Sequence, residues 1–250
     1  MIKNWQKILA ITFLTLGQQP ALHAQTNTSK FEAGIMLSAF VYQGDLTPKR
    51  LGSYETLRPG INLHGSLIMS RSFSLRTNLA LGSLRGDDAK YAEPAFRQQR
   101  NFNFSSPVVE LSELLVWNPL GKNYAEKGIS VYVFAGAGVS FLSVKRDWSK
   151  FNPAYFPNAP TMIDQIAEDE ATPTPSFIPV MPAGGGIRFS LTRRMAVNLE
   201  SAYRFTFTDY IDGFSKGASP GINDHYQTIS AGLSFKFGDK DKLDCPAVRY

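Results

Sequence analysis

From Phe31 onward, apolar residues alternate with polar or small ones at a period of two, the pattern of strands with one oily face and one polar face. Eight segments follow it: Phe31 to Gln43, Gly60 to Ser70, Phe73 to Leu84, Phe102 to Trp117, Ile129 to Val144, Ala183 to Leu191, Met195 to Thr208 and Tyr226 to Phe237. In the first, Phe31, Ala33, Ile35, Leu37, Ala39 and Val41 share a face opposite Glu32, Gly34, Ser38 and Tyr42. In the last, Ile229, Ala231, Leu233, Phe235 and Phe237 stand opposite Thr228, Ser230, Ser234 and Lys236.

A soluble sandwich alternates in the same way, so the second face decides between the two architectures. It carries Glu32, Asn62, His64, Arg76, Glu110, Arg188, Glu200, Arg204 and Lys236, together with Gly34, Gly82, Gly136, Gly138, Gly184, Gly186 and Gly232. A solvated face has no use for so many small residues, whereas the crowded interior of an eight-stranded barrel does. The oily face then meets lipid. Its aromatics gather at the segment ends, with Phe31, Phe73, Trp117, Phe189, Phe235 and Phe237 toward one end and Phe141, Phe205 and Phe207 toward the other. Two such girdles are expected at the two interfaces of a bilayer, provided alternate strands run in opposite directions.

The connections also sort by length. The turns at Arg71–Ser72 and Thr192–Arg194 and the link from Asn118 to Gly128 fall at one end, and long loops near residues 44–59, 85–101, 145–182 and 209–225 fall at the other. Short turns of such barrels face the periplasm and long loops face outward. The fold class is therefore all-β, a transmembrane antiparallel up-and-down barrel of eight strands in the bacterial outer membrane, with both termini periplasmic. Two features strain the pattern. Glu113 falls on the lipid face of the fourth segment, which Pro107 interrupts, suggesting a register shift through a bulge, and Pro179 and Pro182 place Phe177 to Pro182 above the membrane.

Ahead of the barrel, Lys3 and Lys7 precede an apolar run from Ile8 to Gly17, and a polar, small-residue stretch follows to Ala24. That run is too short for a helical span, which needs roughly 20 residues. Residues 1–24 read as a signal peptide, 25–238 as the barrel and 239–250 as a periplasmic tail. Removing the leader deletes two lysines and no acid, so the formal charge falls from +5 to +3. Charge this mild and dispersed argues against a nucleic-acid partner. Cys245 is the only cysteine, so no disulfide forms within the chain.

Gly44-Asp45-Leu46, Arg58-Pro59, Gly86-Asp87-Asp88, Glu110-Leu111-Ser112, the run Tyr132 to Gly138, and Thr206-Phe207-Thr208-Asp209-Tyr210-Ile211-Asp212 occur in this order. In these motifs the chain resembles the Bacteroidota outer-membrane barrel family that includes PorG of the type IX secretion system. The resemblance spans nearly all of the mature chain. It implies a barrel that tethers a periplasmic ring of the secretion and gliding machinery to the outer membrane through a lipoprotein partner. Thr206, Phe207, Thr208, Asp209, Tyr210 and Asp212 form its most specific loop motif.

Candidate chemistry is sparse. Glu32, Arg76, Glu110, Arg188, Glu200, Arg204 and Lys236 share the inward face, where confined charges must pair, so a closed network and a plugged lumen are expected. The same residues could line a narrow pore, but eight strands leave no channel once side chains fill them. A lipid-modifying enzyme would have to use His64, Ser66 and Glu200, and no nucleophile-elbow motif surrounds Ser66. Asp87, Asp88, Asp209, Asp212 and Asp224 read as solvated loop acids able to bridge divalent ions on lipopolysaccharide, as does Glu168-Asp169-Glu170. Their spacing is not that of a calcium loop. No catalytic residue, metal or cofactor is assigned. The expected role is that of a structural, non-enzymatic component in contact with membrane lipid and lipopolysaccharide.

Overall fold

Period-two alternation produces strands here because each has somewhere to put both faces. The computed structural model describes residues 30–48, 52–218 and 223–237. Eight long antiparallel strands form the wall: β1 (Phe31–Gln43), β2 (Arg58–Ile68), β3 (Phe73–Asp87), β4 (Asn103–Trp117), β5 (Gly128–Leu142), β7 (Phe177–Ser190), β8 (Met195–Thr206) and β9 (His225–Phe237). A three-residue strand, β6 (Lys145–Asp147), extends the ladder on the upper part of β4. Each long strand pairs with its neighbour in sequence, and β1 pairs with β9 from Phe31↔Phe237 to Gln43↔His225, which closes the ring. Closure leaves no wall edge unpaired, the condition for β-structure to cross a membrane. Among the described residues no helix is long and apolar enough to cross. The expected leader, the tail after residue 238 and Cys245 lie outside the described residues.

The outward wall is apolar. Ile35, Leu37, Leu63, Leu111, Val133, Leu199 and Leu233 are all exposed along it. Phe31, Phe73, Trp117, Phe189, Phe235 and Phe237 ring the short-turn end, while Phe141, Phe205 and Phe207 ring the other, where Phe177 joins them. An exposed apolar wall between two aromatic rings is the surface of a transmembrane barrel. The turns at 69–72, 118–127 and 191–194 share one end, and the described loop residues 44–48, 52–57, 88–102, 143–176, 207–218 and 223–224 share the other.

Three details of the sequence reading change. The segment Phe177–Pro182 is not a separate loop but the first half of β7. The β5–β7 pairing lapses only opposite Gly136 and Ala137 and resumes in the same register, so the N–H missing from Pro182 interrupts one step of the ladder without a bulge. Val41, expected to face lipid, is fully buried, because the chain near Gly52 lies against its side chain. Pro107 sits in an unbroken β3–β4 register, so no bulge turns Glu113 inward. Its carboxylate stays on the outer wall and accepts a 2.8 Å hydrogen bond from Thr77 Oγ1.

Inside, the lumen divides along its length. The long-loop half is filled by an apolar cluster that includes Phe40, Tyr42, Leu84, Phe104, Val108, Leu142, Ile178, Val180 and Tyr226. Phe40 fits only because Gly60 and Gly82 face it, since a Cβ on either would come within about 2.5 Å of the ring. The short-turn half is polar, with Glu32, Asn62, His64, Ser66, Arg76, Asn198, Glu200 and Ser234 buried. There His64 lies over Gly34, where an added Cβ would come 2.3 Å from its Cε1.

The wall generates a paired prediction. Glu113 lies four residues from Trp117 in one girdle and four from Val109, which pairs with Phe141 in the other, so it stands near mid-membrane. Leu111→Arg on the same wall should destabilise the barrel by roughly 2–4 kcal/mol, whereas Glu113→Leu should stabilise it by about 1 kcal/mol. Reversible urea unfolding in lipid vesicles measures both. A loss of stability in Glu113→Leu as large as in Leu111→Arg would contradict the assignment of this face to lipid.

Candidate functional site

Alternation sends every second side chain of eight strands into one narrow lumen, and the charged ones meet across it. Arg76 of β3 reaches Glu200 of β8 at 2.6 Å, and Tyr132 of β5 donates to the same oxygen at 2.5 Å. Arg188 of β7 grips Glu32 of β1 with two bonds of 2.7 and 2.6 Å. Arg204 of β8 meets Glu110 of β4 at 3.0 Å, and Glu110 also accepts from Tyr226 at 2.8 Å and Ser112 at 3.1 Å. Arg204 further donates to Thr228 Oγ1 and to Ala202 O. Six of the seven inward charges read from the sequence thus form three ion pairs that tie opposite walls together. Lys236, the seventh, donates to Asn123 O in the β4–β5 turn at 2.5 Å.

Fixed geometry and hydrogen bonding to the remaining atoms make such buried pairs tolerable, because desolvation otherwise outweighs the attraction. Arg76 lies 5.4 Å from the centre of the Tyr132 ring and Arg204 lies 5.7 Å from that of Tyr226, so aromatic faces share in holding the guanidinium groups. The aromatic partners Tyr132 and Tyr226 carry no charge signal in the sequence; only their inward register reveals them.

Above the lumen the long loops form an ordered cap. Thr206 ends β8 with its hydroxyl on Asp224 O, and Thr208 O accepts from the Asp224 amide at 3.0 Å. Asp209 accepts from Ser215 at 2.7 Å, and Tyr210 reaches Asp169 at 3.4 Å. Phe207 points outward into the upper girdle. Asp212 and Asp224 both face the Tyr42 hydroxyl, at 2.7 and 2.6 Å. The loop motif therefore folds its own loop and seats it on β1. The reading of the loop acids as solvated is wrong for Asp88, Asp169, Asp212 and Asp224, which are all buried. Asp88 is clasped by Arg97 at 2.8 Å and Arg100 at 2.6 Å, from the short helix α1 (Phe96–Arg100). Asp169, in helix α2 (Ala159–Ala171), accepts amides of Ser215, Lys216 and Gly217. Acidity marks these positions in the sequence, but their burial depends on partners many residues away. Among the described residues no cluster of His, Cys, Asp and Glu is arranged to hold a metal ion.

His64 and Ser66 point inward, 4% and 7% exposed, and both His64 nitrogens and Ser66 Oγ lack hydrogen-bond partners within the protein. Glu200 is committed to Arg76 and Tyr132 rather than to His64. The three residues that a hydrolytic site would need therefore form no hydrogen-bonded relay.

The pairings generate a double-mutant prediction. Arg204→Met strands the Glu110 carboxylate in the lumen and should cost about 3–5 kcal/mol, whereas Arg204→Met with Glu110→Leu should recover most of the loss. Urea unfolding of the three proteins checks it, and a double variant no better than the single would contradict a pairwise role.

The Asp212–Asp224 pair generates a pH prediction. Burial raises both carboxyls well above the usual range, and repulsion adds to it, from Asp224 on Asp212 and from Asp45 and Asp209 on Asp224. The folded loop thus keeps a proton that the unfolded loop releases above about pH 4, so loop stability falls as pH rises from there toward the folded value. Asp212→Asn should raise amide-exchange protection of residues 209–217 at pH 8 and flatten its pH dependence. Unchanged protection at both pH 5 and pH 8 would refute proton retention by this pair.

Several solved structures are similar at low identity. Ail of Yersinia pestis, described as an attachment invasion locus protein, is 10% identical, with 84% of this chain and 99% of that one covered and a TM-score of 0.44. The outer membrane protein OprG from Pseudomonas aeruginosa is 11% identical over 85% of this chain and 99% of its own, with a TM-score of 0.41. A major outer membrane protein from Thermus thermophilus is 12% identical over 82% of this chain and 99% of its own, with a TM-score of 0.42. No curated protein matches the sequence. A family model described as a domain of unknown function, DUF6089, matches residues 6–240, and the chain belongs to that family.

Proposed function

We propose that this barrel resides in the bacterial outer membrane, with its long loops outside and its short turns in the periplasm. It works there as a structural anchor, in the manner of PorG, for the type IX secretion and gliding machinery. The observation that carries the anchoring role is the closed lumen: three transverse ion pairs fill its middle and an apolar cluster fills its long-loop half. A barrel filled in this way offers no path for solutes, and its usable surfaces are its wall, its cap and its short-turn mouth. The secretion role rests on the resemblance of the loop motif and the other ordered motifs alone.

A catalytic role in lipid modification finds less support. His64 faces away from the lipid wall, without a hydrogen-bonded relay to Ser66 or Glu200. His64→Ala should leave the cellular role intact in protein shown to be folded in the membrane. A hydrolase dependent on it would lose at least about a hundredfold in rate. Mild-detergent co-purification from outer membranes, with an epitope tag between Asp164 and Thr174 to report topology, should recover a periplasmic lipoprotein partner. Recovery of the barrel alone, together with lipid turnover that disappears in His64→Ala, would replace the anchor by an enzyme.

A further inference from the structure

The outer wall around Glu113 has a shape as well as a charge. Strand register sets Ala33, Gly65, Thr77, Glu113 and Ala137 side by side on that wall, one from each of β1 to β5, and all five are exposed. Two residues further toward the long loops, β2, β3 and β4 present Leu63, Leu79 and Leu111; two residues toward the short turns they present Leu67, Leu75 and Leu115. Small side chains between two leucine ridges leave a trough. The ridges stand four residues apart along the strands, about 13 Å. Packing within the barrel does not require a glycine at position 65, where an added Cβ would meet nothing within 4 Å.

Glu113 puts a carboxylate into this trough near mid-membrane. Among the described residues it is the single charged side chain on the wall between the two girdles. The Thr77 hydroxyl, at 2.8 Å, is its hydrogen-bond donor. A carboxylate has about four acceptor positions, and lipid chains offer no donor to the rest. One neutral hydroxyl leaves the charge unanswered, so the fitting partner is a cation delivered from within the bilayer.

We propose that the trough is a docking site for a membrane-spanning helix of a second protein, one that carries a lysine or arginine near its midpoint. A helix satisfies its own backbone in lipid, and its diameter of about 10–12 Å is close to the distance between the leucine ridges. Gly65, Thr77 and Ala137 let its backbone come near, and its cation meets Glu113 where the low dielectric strengthens the attraction. A second copy of the barrel fits less well, because its own trough would bring another carboxylate to the contact instead of a cation. The inference requires only that this wall faces lipid and is independent of any periplasmic partner.

The test places the full barrel in phosphatidylcholine vesicles with two dansyl-labelled helical peptides of about 20 leucine and alanine residues, one with a central lysine and one with a central leucine. Energy transfer from the barrel's tryptophans reads their approach, since Trp117 lies four residues from Glu113. The lysine peptide should give saturable transfer that an unlabelled copy competes away, and the leucine peptide only the transfer of random mixing. Glu113→Gln keeps the shape and an acceptor for Thr77, and should weaken association by about tenfold. Gly65→Leu fills the trough where a side chain has open space and should weaken it as well, whereas Ala231→Leu on the far wall should not. Heat-modifiable gel mobility confirms that each variant is folded. Equal association of the two peptides, or full association of the lysine peptide with folded Glu113→Gln or Gly65→Leu, would overturn the proposal. Barrel-to-barrel association that Glu113→Gln abolishes, with the lysine peptide unbound, would overturn it too and give the trough to a second copy.

Discussion

Closure of the hydrogen-bonded ladder is the constraint on which everything else depends. Lipid offers no partner for a backbone amide, so the wall must satisfy itself all the way round, and β1 meeting β9 over its full length does this. Once the ring is closed with eight strands, the interior is narrow and every second residue must fit inside it. Glycine opposite the larger inward side chains, the pairing of inward charges and the apolar exterior all follow from that geometry. Glu113 is the exception on the outer wall, a carboxylate eased by the Thr77 hydroxyl and standing among Gly65, Thr77 and Ala137, its small neighbours across the ladder.

The two halves of the lumen solve the same problem differently. Toward the long loops, rings and branched side chains fill most of the space, with the hydroxyls of Tyr42 and Tyr226 and the Arg204–Glu110 pair bonded among them, and the cap continues that packing through Phe102 stacked on Phe214 at 4.5 Å. Toward the short turns, the Arg76–Glu200 and Arg188–Glu32 pairs span the lumen from wall to wall. Buried pairs of this kind contribute little net stability compared with an apolar filling. Two of the three pairs lie in the short-turn half, where they keep that end of the lumen polar.

Much of this is legible in the sequence because a period of two is a local signal. The faces of β1, β4 and β9 follow from counting, and so do the girdles and the side of the barrel on which each loop lies. Features that depend on distant partners are not legible. Val41 has the right parity for lipid, but the chain near Gly52 covers it. Phe177 to Pro182 reads as a loop because proline weakens a strand, yet flanking pairs on β5 and β8 hold it in register. The inward charges can be named from parity, whereas which arginine meets which glutamate depends on strand stagger around the closed ring. Asp88, Asp169, Asp212 and Asp224 read as solvated acids because nothing local shows that loops far apart in sequence come together over the same opening.

The anchoring role proposed for this barrel requires a closed lumen. Planar-bilayer recording of the refolded full barrel tests this most directly. The ion pairs and the apolar filling predict a silent membrane across the physiological voltage range, with protein insertion verified independently. Reproducible unitary currents that scale with salt concentration would contradict the closed lumen and return the molecule to the class of pores.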